Sequence, residues 1–428
     1  MALSKANPNP VVPRDEHNVS RANISKNALK VLYRLKDAGY RGCLVGGGVR
    51  DLLLGREPKD FDVVTDATPE EVKSVFRNCR LIGRRFRLAH VYFRDEVIEV
   101  ATFRGSQEDT EATDEGRIIR DNVYGTIEED VWRRDFTVNA LYYDISDFSV
   151  LDYAGGMQDL EKGRLRMIGD AEQRYREDPV RMLRAVRFAA KLGFRIERET
   201  EDPIFALGFL LGDIPPARLF DEVLKLFQTG HGENSFELLR RYDLFAWLFP
   251  DVDELLAIER DEGDVHHFIS HALENTDARL AEDKGANPGF LYAALLWGLV
   301  EKQANRLQDE KGLSEPQALA EAGRRVIDAQ VKNTAIPKRF SMVMKEIWSL
   351  QPRFSRHVGK RAMSLREHPR FRAAYDFLCL RARAGDKRVV EDCEFWTELQ
   401  ELDPEEQRKR LLPPRKRKRP NKGGKAKG

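Results

Sequence analysis

The sequence has few cysteines and no long apolar run. Its cysteines are too scattered for a disulfide framework or a paired zinc site, so we predict reduced and mostly buried thiols at Cys43, Cys79, Cys379 and Cys393. No apolar stretch approaches the roughly 20 residues that a membrane-spanning helix needs. Residues 1–18 also lack the apolar core of a signal peptide. These absences predict a cytoplasmic protein.

Length and charge point to several domains and a distinct C-terminal tail. The 428 residues, 41% hydrophobic and 33% charged, predict a soluble, helix-rich chain of about two to four domains. Residues 408–428 hold eleven Lys or Arg and no acid, whereas the rest of the chain has 61 basic and 71 acidic residues. We predict a disordered basic tail that can hold nucleic acid, with a solubility tail or a membrane-surface contact as the alternatives.

Residues 59–64, KDFDVV, place two aspartates at the start of an apolar run. If this segment is a strand, Asp60 and Asp62 point to one face and Phe61 to the other. Two neighbouring carboxylates repel each other unless a cation lies between them, and hard divalent cations prefer oxygen ligands. The alternative is a solvated strand end.

Residues 40–55, YRGCLVGGGVRDLLLG, predict a buried strand, a glycine turn and the start of a helix. The pattern lacks the third glycine of a dinucleotide fingerprint and is not a P-loop. A helix N-terminus favours an anion, Gly46 and Gly47 let a phosphate approach the backbone, and Arg50 adds a cation. The segment therefore predicts a phosphate-binding turn, followed about a dozen residues later by the aspartate pair.

A third carboxylate is expected from a neighbouring strand. Glu99 lies between Ile98 and Val100 in the second strand of a predicted hairpin, LAHVYFRDEVIEVATFRG. Three carboxylates can hold two Mg²⁺ ions, one activating a hydroxyl and the other stabilising pyrophosphate. Alternatively, Glu99 is a charge that protects an edge strand from aggregation.

Two further segments combine arginines with an acid. WRRDFTVNAL is predicted to carry Arg133, Arg134 and Asp135 on one helical turn, either as a structural ion pair or as a nucleotide contact. REDPVRMLRAVRF is predicted to start a helix at Asp178, with arginines at three-residue spacing that can grip a triphosphate or read a base edge. A solvated salt-bridge face is the alternative for this stripe of Arg181, Arg184 and Arg187.

Two weaker patterns remain. RNCRLIGRRFRLAHV interleaves five arginines with Phe86, which suits RNA or a triphosphate, and His90 in this segment is expected to be structural. The cluster of His266, His267 and His271 has a metal-like spacing, but no acid completes a phosphohydrolase-type metal site, so its role is left open.

Together, LVGGGVRDLLLG, KDFDVV, RRDFTVNALYY and REDPVRMLRAVRFAAKLGF resemble, in order, the motifs of the class II nucleotidyltransferase superfamily. This superfamily contains bacterial poly(A) polymerases (polynucleotide adenylyltransferases) and CCA-adding tRNA nucleotidyltransferases. LIGRRFRLAHVYF, NVYGTIEEDVWRRDF and GDIPPARLF resemble the poly(A) polymerase branch. The resemblance covers residues 18 to 385, and the histidine cluster and the tail lie outside it.

The resemblance implies an α/β catalytic head with a mixed sheet, followed by an all-α neck and body. We expect five segments: a flexible arm (1–20), the nucleotidyltransferase head (21–155), a neck with nucleotide-base contacts (156–218), an RNA-binding helical body (219–400) and a disordered basic tail (401–428).

The resemblance also implies roles for individual residues. Asp60 and Asp62 would bind catalytic Mg²⁺ or Mn²⁺, and Asp135 would belong to the active site, while either Glu99 or Asp135 would be the third catalytic carboxylate. The implied nucleotide-binding residues are Gly46, Gly47, Arg50, Arg134, Asp178, Arg181, Arg184 and Arg187.

The leading hypothesis is a template-independent poly(A) polymerase that adds AMP from ATP to RNA 3′ ends and marks RNAs for decay. RNA and ATP are the implied partners, together with RNA-decay proteins. A CCA-adding enzyme is the first alternative. A non-catalytic RNA-binding protein is the second.

Overall fold

The computed structural model divides the chain into two units, and we describe each by itself. Unit 1 comprises Met1–Ile214 with Arg241–Leu244, and unit 2 comprises Pro215–Arg240 with Phe245–Gly428. The structure describes residues 7, 9–83, 87–105, 111–112, 118–120, 123–259 and 264–412.

Unit 1 contains an eight-stranded mixed sheet with the strand order β1-β10-β9-β2-β3-β6-β5-β4. The pairing of β3 with β6 is parallel, and the other pairs in this sheet are antiparallel. Two smaller sheets pair β7 with β8 and β11 with β12. The strands are β1 Val11–Val12, β2 Gly42–Val45, β3 Asp62–Thr65, β4 Cys79–Ile82, β5 Leu88–Tyr92, β6 Val97–Thr102, β7 Glu111–Ala112, β8 Ile118–Arg120, β9 Tyr142–Asp144, β10 Val150–Leu151, β11 Arg164–Leu165 and β12 Arg195–Ile196.

Eight α-helices belong to the described part of unit 1. Thr68 and Glu71 form a capping box at the start of the third helix. The helices are α1 Lys26–Asp37, α2 Gly47–Leu53, α3 Pro69–Val75, α4 Ile127–Arg133, α5 Gly156–Glu161, α6 Ala171–Glu177, α7 Val180–Leu192 and α8 Arg198–Leu207.

Helices cover both faces of the large sheet. On β2, Gly42 faces Leu32 and Leu35 of α1, whereas the alternate residues Cys43 and Val45 pack in a core cluster with α4. Val64 of β3 belongs to the α4 cluster as well. Asp62, two residues earlier on β3, therefore projects from the face of the sheet that α4 covers.

The arm is more ordered than predicted. Val11 and Val12 pair with β10, and the amide of Asp152 donates to the carbonyl of Pro10 at 2.7 Å. A flexible arm over residues 1–20 is therefore wrong for these positions, because the β10 edge supplies backbone partners that the arm's own sequence does not reveal.

In unit 2, the described regular elements are helices, as the predicted all-α body requires. None of the helices that the structure describes is long and apolar enough to cross a membrane. The α-helices after α8 are α9 Pro216–Phe227, α10 Gly232–Arg241, α11 Phe245–Leu248, α12 Pro250–Glu259, α13 Asp264–Ala281, α14 Pro288–Leu295, α15 Trp297–Lys311, α16 Glu315–Gln330, α17 Lys338–Leu350, α18 Lys360–Arg366, α19 Phe371–Arg383, α20 Val390–Glu401 and α21 Pro404–Leu411.

The start of the predicted basic tail is also folded. The side chain of Asp403 accepts hydrogen bonds from the amides of Glu405 and Glu406 and caps α21, and Leu411 is 1% exposed in the core cluster of the last helices. Disorder from residue 401 is therefore wrong for Pro404–Leu411, because one buried leucine and a cap stabilise this charged helix. Residues 413–428 lie outside the described part of the chain.

The prediction of four reduced cysteines is wrong for two of them. Cys379 of α19 and Cys393 of α20 form a disulfide, with their Cα atoms 5.4 Å apart. Consecutive helices that pack side by side bring together residues 14 positions apart, and the cysteine spacing alone does not reveal this packing. Cys43 and Cys79 are free and buried, as predicted.

Candidate active site

Strand pairing aligns a row of polar side chains across one face of the sheet in unit 1. Asp62 of β3 is the register partner of Glu99 on β6. Glu99 is in turn the partner of His90 on β5, which pairs with Arg80 on β4. Paired residues on adjacent strands project from the same face. Two carboxylates, an imidazole and a guanidinium therefore follow one another across four strands, with His90 Nε2 3.4 Å from Glu99 Oε1.

The two carboxylates at the centre of this row influence each other electrostatically. Asp62 is accessible to solvent, although neighbouring protein atoms partly desolvate its carboxyl. Burial and the negative charges of Glu99 and Asp60 raise the pKa of Asp62 to about 6, against the opposing charge of Arg134. The repulsion predicted for this acidic group is therefore present, and its larger part comes from the neighbouring strand.

Asp60 lies outside the strand that was predicted to carry both aspartates. β3 begins at Asp62, because its partner β2 ends at Val45 where the chain turns at Gly46. Asp60 is exposed just before the strand, and its carbonyl oxygen would lie 3.3 Å from a Cβ on Gly48 of α2. The backbone of Asp60 thus packs against α2, and its charge acts on the Asp62 carboxyl more weakly than that of Glu99.

The glycine turn lies next to Arg134. Gly46 has a φ of +73°, a left-handed conformation that favours glycine, and its amide donates to the carbonyl of Leu141 at 3.2 Å. A Cβ at Gly46 would lie 3.7 Å from Nη1 of Arg134. Gly47 is the first residue of α2, and the buried Arg50 lies three residues further along the same helix. The predicted turn thus forms, with a guanidinium beside it.

Arg50 is buried instead of projecting from the turn. Its exposure is 1%, its Nη1 donates to Oδ1 of Asn139 at 2.6 Å, and its Nε donates to Oδ1 of Asp51 at 2.8 Å. Its guanidinium also lies over the ring of Phe188, 5.6 Å from the centroid. In this arrangement Arg50 joins α2 to the Thr137–Asn139 turn and to α7. Its predicted contact with a nucleotide stays a prediction.

Arg134 and Asp135 follow α4 and do not share one of its turns. The helix ends at Arg133, and the backbone of Arg134 is extended, with a ψ of 164°. The prediction of a single helical turn is wrong here, because Arg134 takes an extended backbone conformation and so ends α4 before Asp135. Arg134 donates through Nε to the hydroxyl of Tyr142 at 2.7 Å and forms an ion pair with Asp130 at 2.9 Å.

Asp135 forms an ion pair with Arg184 of α7. Its Oδ2 accepts from Nε of Arg184 at 2.7 Å and from a second nitrogen of the same guanidinium, while Oδ1 accepts from the amide of Phe136 at 2.8 Å. Burial acts to raise the pKa of Asp135, but Arg184, the Phe136 amide and Asn139 outweigh it, so that its pKa lies below the ordinary value. Asp135 is thus an ionised carboxylate with a cation partner.

The predicted arginine stripe lies along α7, which the structure starts at Val180, with Asp178 in the preceding bend. Arg181 donates to the carbonyl of Arg174 at 2.7 Å and to Glu177 at 3.1 Å. Arg187 lies over the ring of Phe188, 4.8 Å from the centroid. The stripe residues are all half-buried: Arg181, Arg184 and Arg187.

Sequence reasoning missed three residues that hold this region together. Asp130 accepts from both Arg134 and Tyr142, and the hydroxyl of Tyr142 donates to it at 2.7 Å. Arg174 donates to the carbonyls of Arg133 and Arg134 at 3.0 and 2.6 Å. The sequence does contain a signal for Asp130, because it lies four residues before Arg134, which is the spacing of an ion pair on a helix.

The histidine cluster lies in unit 2, where acidic side chains contact two of its members. His266 contacts Glu237 at 2.9 Å and His271 contacts Glu274 at 3.0 Å. Within the described residues, no three His, Cys, Asp or Glu side chains converge in a group that could hold a metal ion. The arginine-rich segment is described only in part, because Arg84, Arg85 and Phe86 lie outside the described residues.

Three family models match the chain. They are "Poly A polymerase head domain" over residues 43–166, "Probable RNA and SrmB- binding site of polymerase A" over residues 193–256, and "Polymerase A arginine-rich C-terminus" over residues 311–427. The first of these models contains Asp62, Glu99, Arg134 and Asp135.

Individual proteins are similar over different lengths. A poly(A) polymerase I from Salmonella typhi is 51% identical over 427 residues, covering 96% of this chain and 92% of that protein. A CCA-adding enzyme from Leuconostoc mesenteroides is 38% identical over 238 residues, covering 55% of this chain and 58% of that protein. A solved CCA-adding enzyme in an apo form has a TM-score of 0.61 at 19% identity and covers 91% of this chain and 87% of its own.

The solved structure supports the fold alone, and it agrees with the predicted α/β head followed by helices. The full-length relative decides the family, because its identity extends through the sheet, the arginine stripe and the helical unit. This chain belongs to the poly(A) polymerase I family.

Proposed function

We propose that this chain is a template-independent poly(A) polymerase that adds AMP from ATP to RNA 3′ ends. The 3′-hydroxyl oxygen attacks the α-phosphorus of ATP and loses its proton, the bond from this phosphorus to the bridging oxygen breaks, and pyrophosphate leaves. The observation that carries the proposal is the pairing of Asp62 with Glu99 beside the glycine turn, in a chain with a full-length poly(A) polymerase relative.

Asp60 and Asp62 are the proposed ligands of Mg²⁺ or Mn²⁺. The donor set fits such an ion, because it offers carboxylate oxygens. Burial and repulsion from Glu99 and Asp60 raise the pKa of Asp62, and a cation would relieve the repulsion. When bound, the ion lowers the pKa of the attacking hydroxyl and stabilises the charge on pyrophosphate. The work of the protein is then positioning and charge stabilisation.

Glu99 is the proposed third catalytic carboxylate, in preference to Asp135. Glu99 is the direct strand partner of Asp62, whereas both oxygens of Asp135 already accept hydrogen bonds, one of them from the Arg184 guanidinium. A carboxylate with a cation partner has less charge to offer a metal ion. We therefore assign Asp135 to the active site as the group that holds Arg184 in position.

The nucleotide is proposed to lie between the glycine turn and α7. Gly46 and Gly47 would admit a phosphate next to Arg134. Arg50 would stabilise the turn through its hydrogen bond to Asn139. The arginine forks of α7 suit a triphosphate or a base edge. The proposed nucleotide contacts on this side are Asp178, Arg181, Arg184 and Arg187.

The wider setting of the reaction is part of the same proposal. Residues 156–218 would act as a neck that carries the base contacts, and residues 219–400 as an RNA-binding body. The proposed location is the cytoplasm, since the reaction needs ATP and RNA together. Tails of this kind would mark RNAs for decay, which makes RNA-decay proteins proposed partners.

Two other functions make different predictions. A CCA-adding enzyme is less well supported, because the CCA-adding relative from Leuconostoc mesenteroides covers only 55% of the chain. A non-catalytic RNA-binding protein would not need the paired carboxylates of Asp62 and Glu99.

The deciding experiment is to incubate the full chain with a single-stranded RNA oligonucleotide, Mg²⁺ and each nucleoside triphosphate separately. Long tails from ATP alone support the proposal. Incorporation of CTP at a tRNA end would replace it with CCA addition, and no incorporation of any nucleotide would favour the non-catalytic function. The variant Asp62→Asn serves as the control, since it should bind RNA but transfer nothing.

A further inference from the structure

Two adjoining cavities form a groove along α19 in unit 2. They have volumes of about 440 and 300 Å³, which are within the range of ligand sites, about 300–1,000 Å³. Both are lined by Asn275 and Arg279 of α13 and by Arg372 and Asp376 of α19. We call these two cavities together the α19 groove. The disulfide between Cys379 and Cys393 lines one end of it.

The charge along the α19 groove is positive. Arg370 and Arg372 form ion pairs with Glu346 and Asp376, each at 2.9 Å. Two more arginines line the groove and find no acidic partner within ion-pair distance among the described residues: Arg279 and Arg383.

The pKa of Asp376 shows that three of these arginines lie close to its carboxylate. Burial raises its pKa, and the charges of Arg372, Arg279 and Arg383 oppose the rise. Three guanidinium groups thus act on one half-buried carboxylate. The groove lining holds four arginines against two acids, Asp376 and Glu394, so it retains an excess of positive charge that suits a polyanion.

The groove also offers groups that a simple anion would not need. Nε2 of Gln228 is buried and donates to no acceptor in the part of the chain that the structure describes. The ring of Phe290 is half-buried and makes an edge-to-face contact with Phe377, at a centroid distance of 5.9 Å. Asn275 adds a second amide. An unpaired amide donor and an aromatic ring that line one cavity suit an unstacked nucleobase.

We propose that the α19 groove binds single-stranded RNA, with Arg279 and Arg383 on phosphates and with Phe290 and Gln228 against a base. The proposal rests on the proposed function to the extent that RNA is the substrate. An acidic peptide would use the arginines but would leave the amide and the ring without a purpose. A duplex would keep its bases stacked and out of reach of both. Of the groove residues named here, only Gln228 falls within residues 193–256, which match the RNA-binding family model.

The test measures RNA binding by the full chain without ATP, so its result does not depend on whether the chain transfers AMP. The ligand is a 5′-labelled oligo(A) of about 15 nucleotides. The double variant R279Q/R383Q should raise Kd about tenfold and reduce the slope of log K against log salt by about 1.4, that is, about 0.7 for each phosphate that is no longer neutralised. The matched control is R306Q/R324Q, which removes the same charge from exposed helix surfaces outside the groove.

A third variant tests the base contact. Phe290→Leu keeps an apolar side chain but removes the ring, and it should raise Kd about fivefold without changing the salt slope. Unchanged binding in R279Q/R383Q, or equal weakening in the control pair, would overturn the proposal. Competition by a poly-glutamate peptide at the same charge concentration would reassign the groove to acidic proteins.

Discussion

Asp62 and Glu99 lie directly opposite each other on the parallel strands β3 and β6, and they form the only parallel pair of acids in the described part of the large sheet. Parallel pairing of β3 with β6 is possible because α3, β4 and β5 lie between them in the chain. The acid that faces Asp62 therefore comes from 37 residues downstream of it and not from its own strand.

This pairing predicts that a variant at Glu99 loses mainly activity, whereas a variant at Asp135 loses mainly stability. Glu99→Gln should reduce kcat by roughly 100-fold or more with little loss of stability, because it removes a charge from an accessible site. Asp135→Asn should lower the free energy of unfolding by about 1–3 kcal/mol, because it leaves the half-buried Arg184 without its carboxylate. Single-turnover kinetics and urea unfolding of both variants would separate the effects, and a stable Asp135→Asn with the larger catalytic loss would reverse the assignment.

The raised pKa of Asp62 predicts an activity that falls in mild acid. Its pKa of about 6 lies above the ordinary 3.8, so at pH 5 about one tenth of Asp62 remains ionised. At subsaturating Mg²⁺, kcat/KM should fall about tenfold between pH 8 and pH 5. Saturating Mg²⁺ should move the midpoint to lower pH, and a profile that is flat at both metal concentrations would contradict the assignment.

The same shift predicts a stability effect of defined sign. Because the folded chain binds the Asp62 proton more tightly than the unfolded chain, this group makes stability fall as pH rises from about 4 to about 6. Above pH 6, Asp62→Asn should therefore be at least as stable as the wild type, with a gain of up to about 1 kcal/mol because the group is exposed. Thermal melts without divalent ions would measure this, and added Mg²⁺ should stabilise only the wild type.

Replacing Arg50 is predicted to reduce the stability of the fold more than it weakens nucleotide binding. Arg50→Met removes the donor to Asn139 and leaves Asp51 with Lys191 at 3.5 Å, and it should lower the free energy of unfolding by about 3–5 kcal/mol. Arg56→Met, a nearby exposed arginine, is the control and should change it by less than about 0.5 kcal/mol. Urea denaturation gives both values, and a stable Arg50→Met with a raised KM for ATP would instead support direct contact.

Gly46 and Gly55 provide a matched pair for the turn. Both have positive φ, +73° and +68°, so alanine at either position should cost about 1–2 kcal/mol of backbone strain. Only at Gly46 does the added Cβ approach Arg134. Gly46→Ala should therefore also raise the KM for ATP, whereas Gly55→Ala should lose stability alone. Equal KM values for the two variants would separate the turn from nucleotide binding.

The disulfide predicts a thiol count. Without reductant, the denatured chain should react with a thiol reagent at two cysteines, Cys43 and Cys79, and with reductant at four. Because the bond closes a loop of 14 residues, its reduction should lower the free energy of unfolding by about 3 kcal/mol. Four reactive thiols without reductant would mean that the chain is isolated in the dithiol form.

Local patterns were sufficient for the elements that neighbouring residues determine. Thr68 and Glu71 cap α3, Gly46 forms the predicted turn after β2, and the strands β5 and β6 form the predicted hairpin. In these segments each residue's conformation is set by capping, by φ or by strand periodicity, and all three are visible within a few positions.

The sequence by itself determined the residue types of the site and their order: two aspartates after a glycine turn, a glutamate in an apolar strand, and an arginine stripe. Only the tertiary structure decided which of them meet. Strand register placed Glu99 beside Asp62, α7 brought Arg184 to Asp135, and the packing of α2 buried Arg50. Helix packing likewise joined Cys379 to Cys393. These contacts depend on register and packing between distant segments, which local periodicity does not encode.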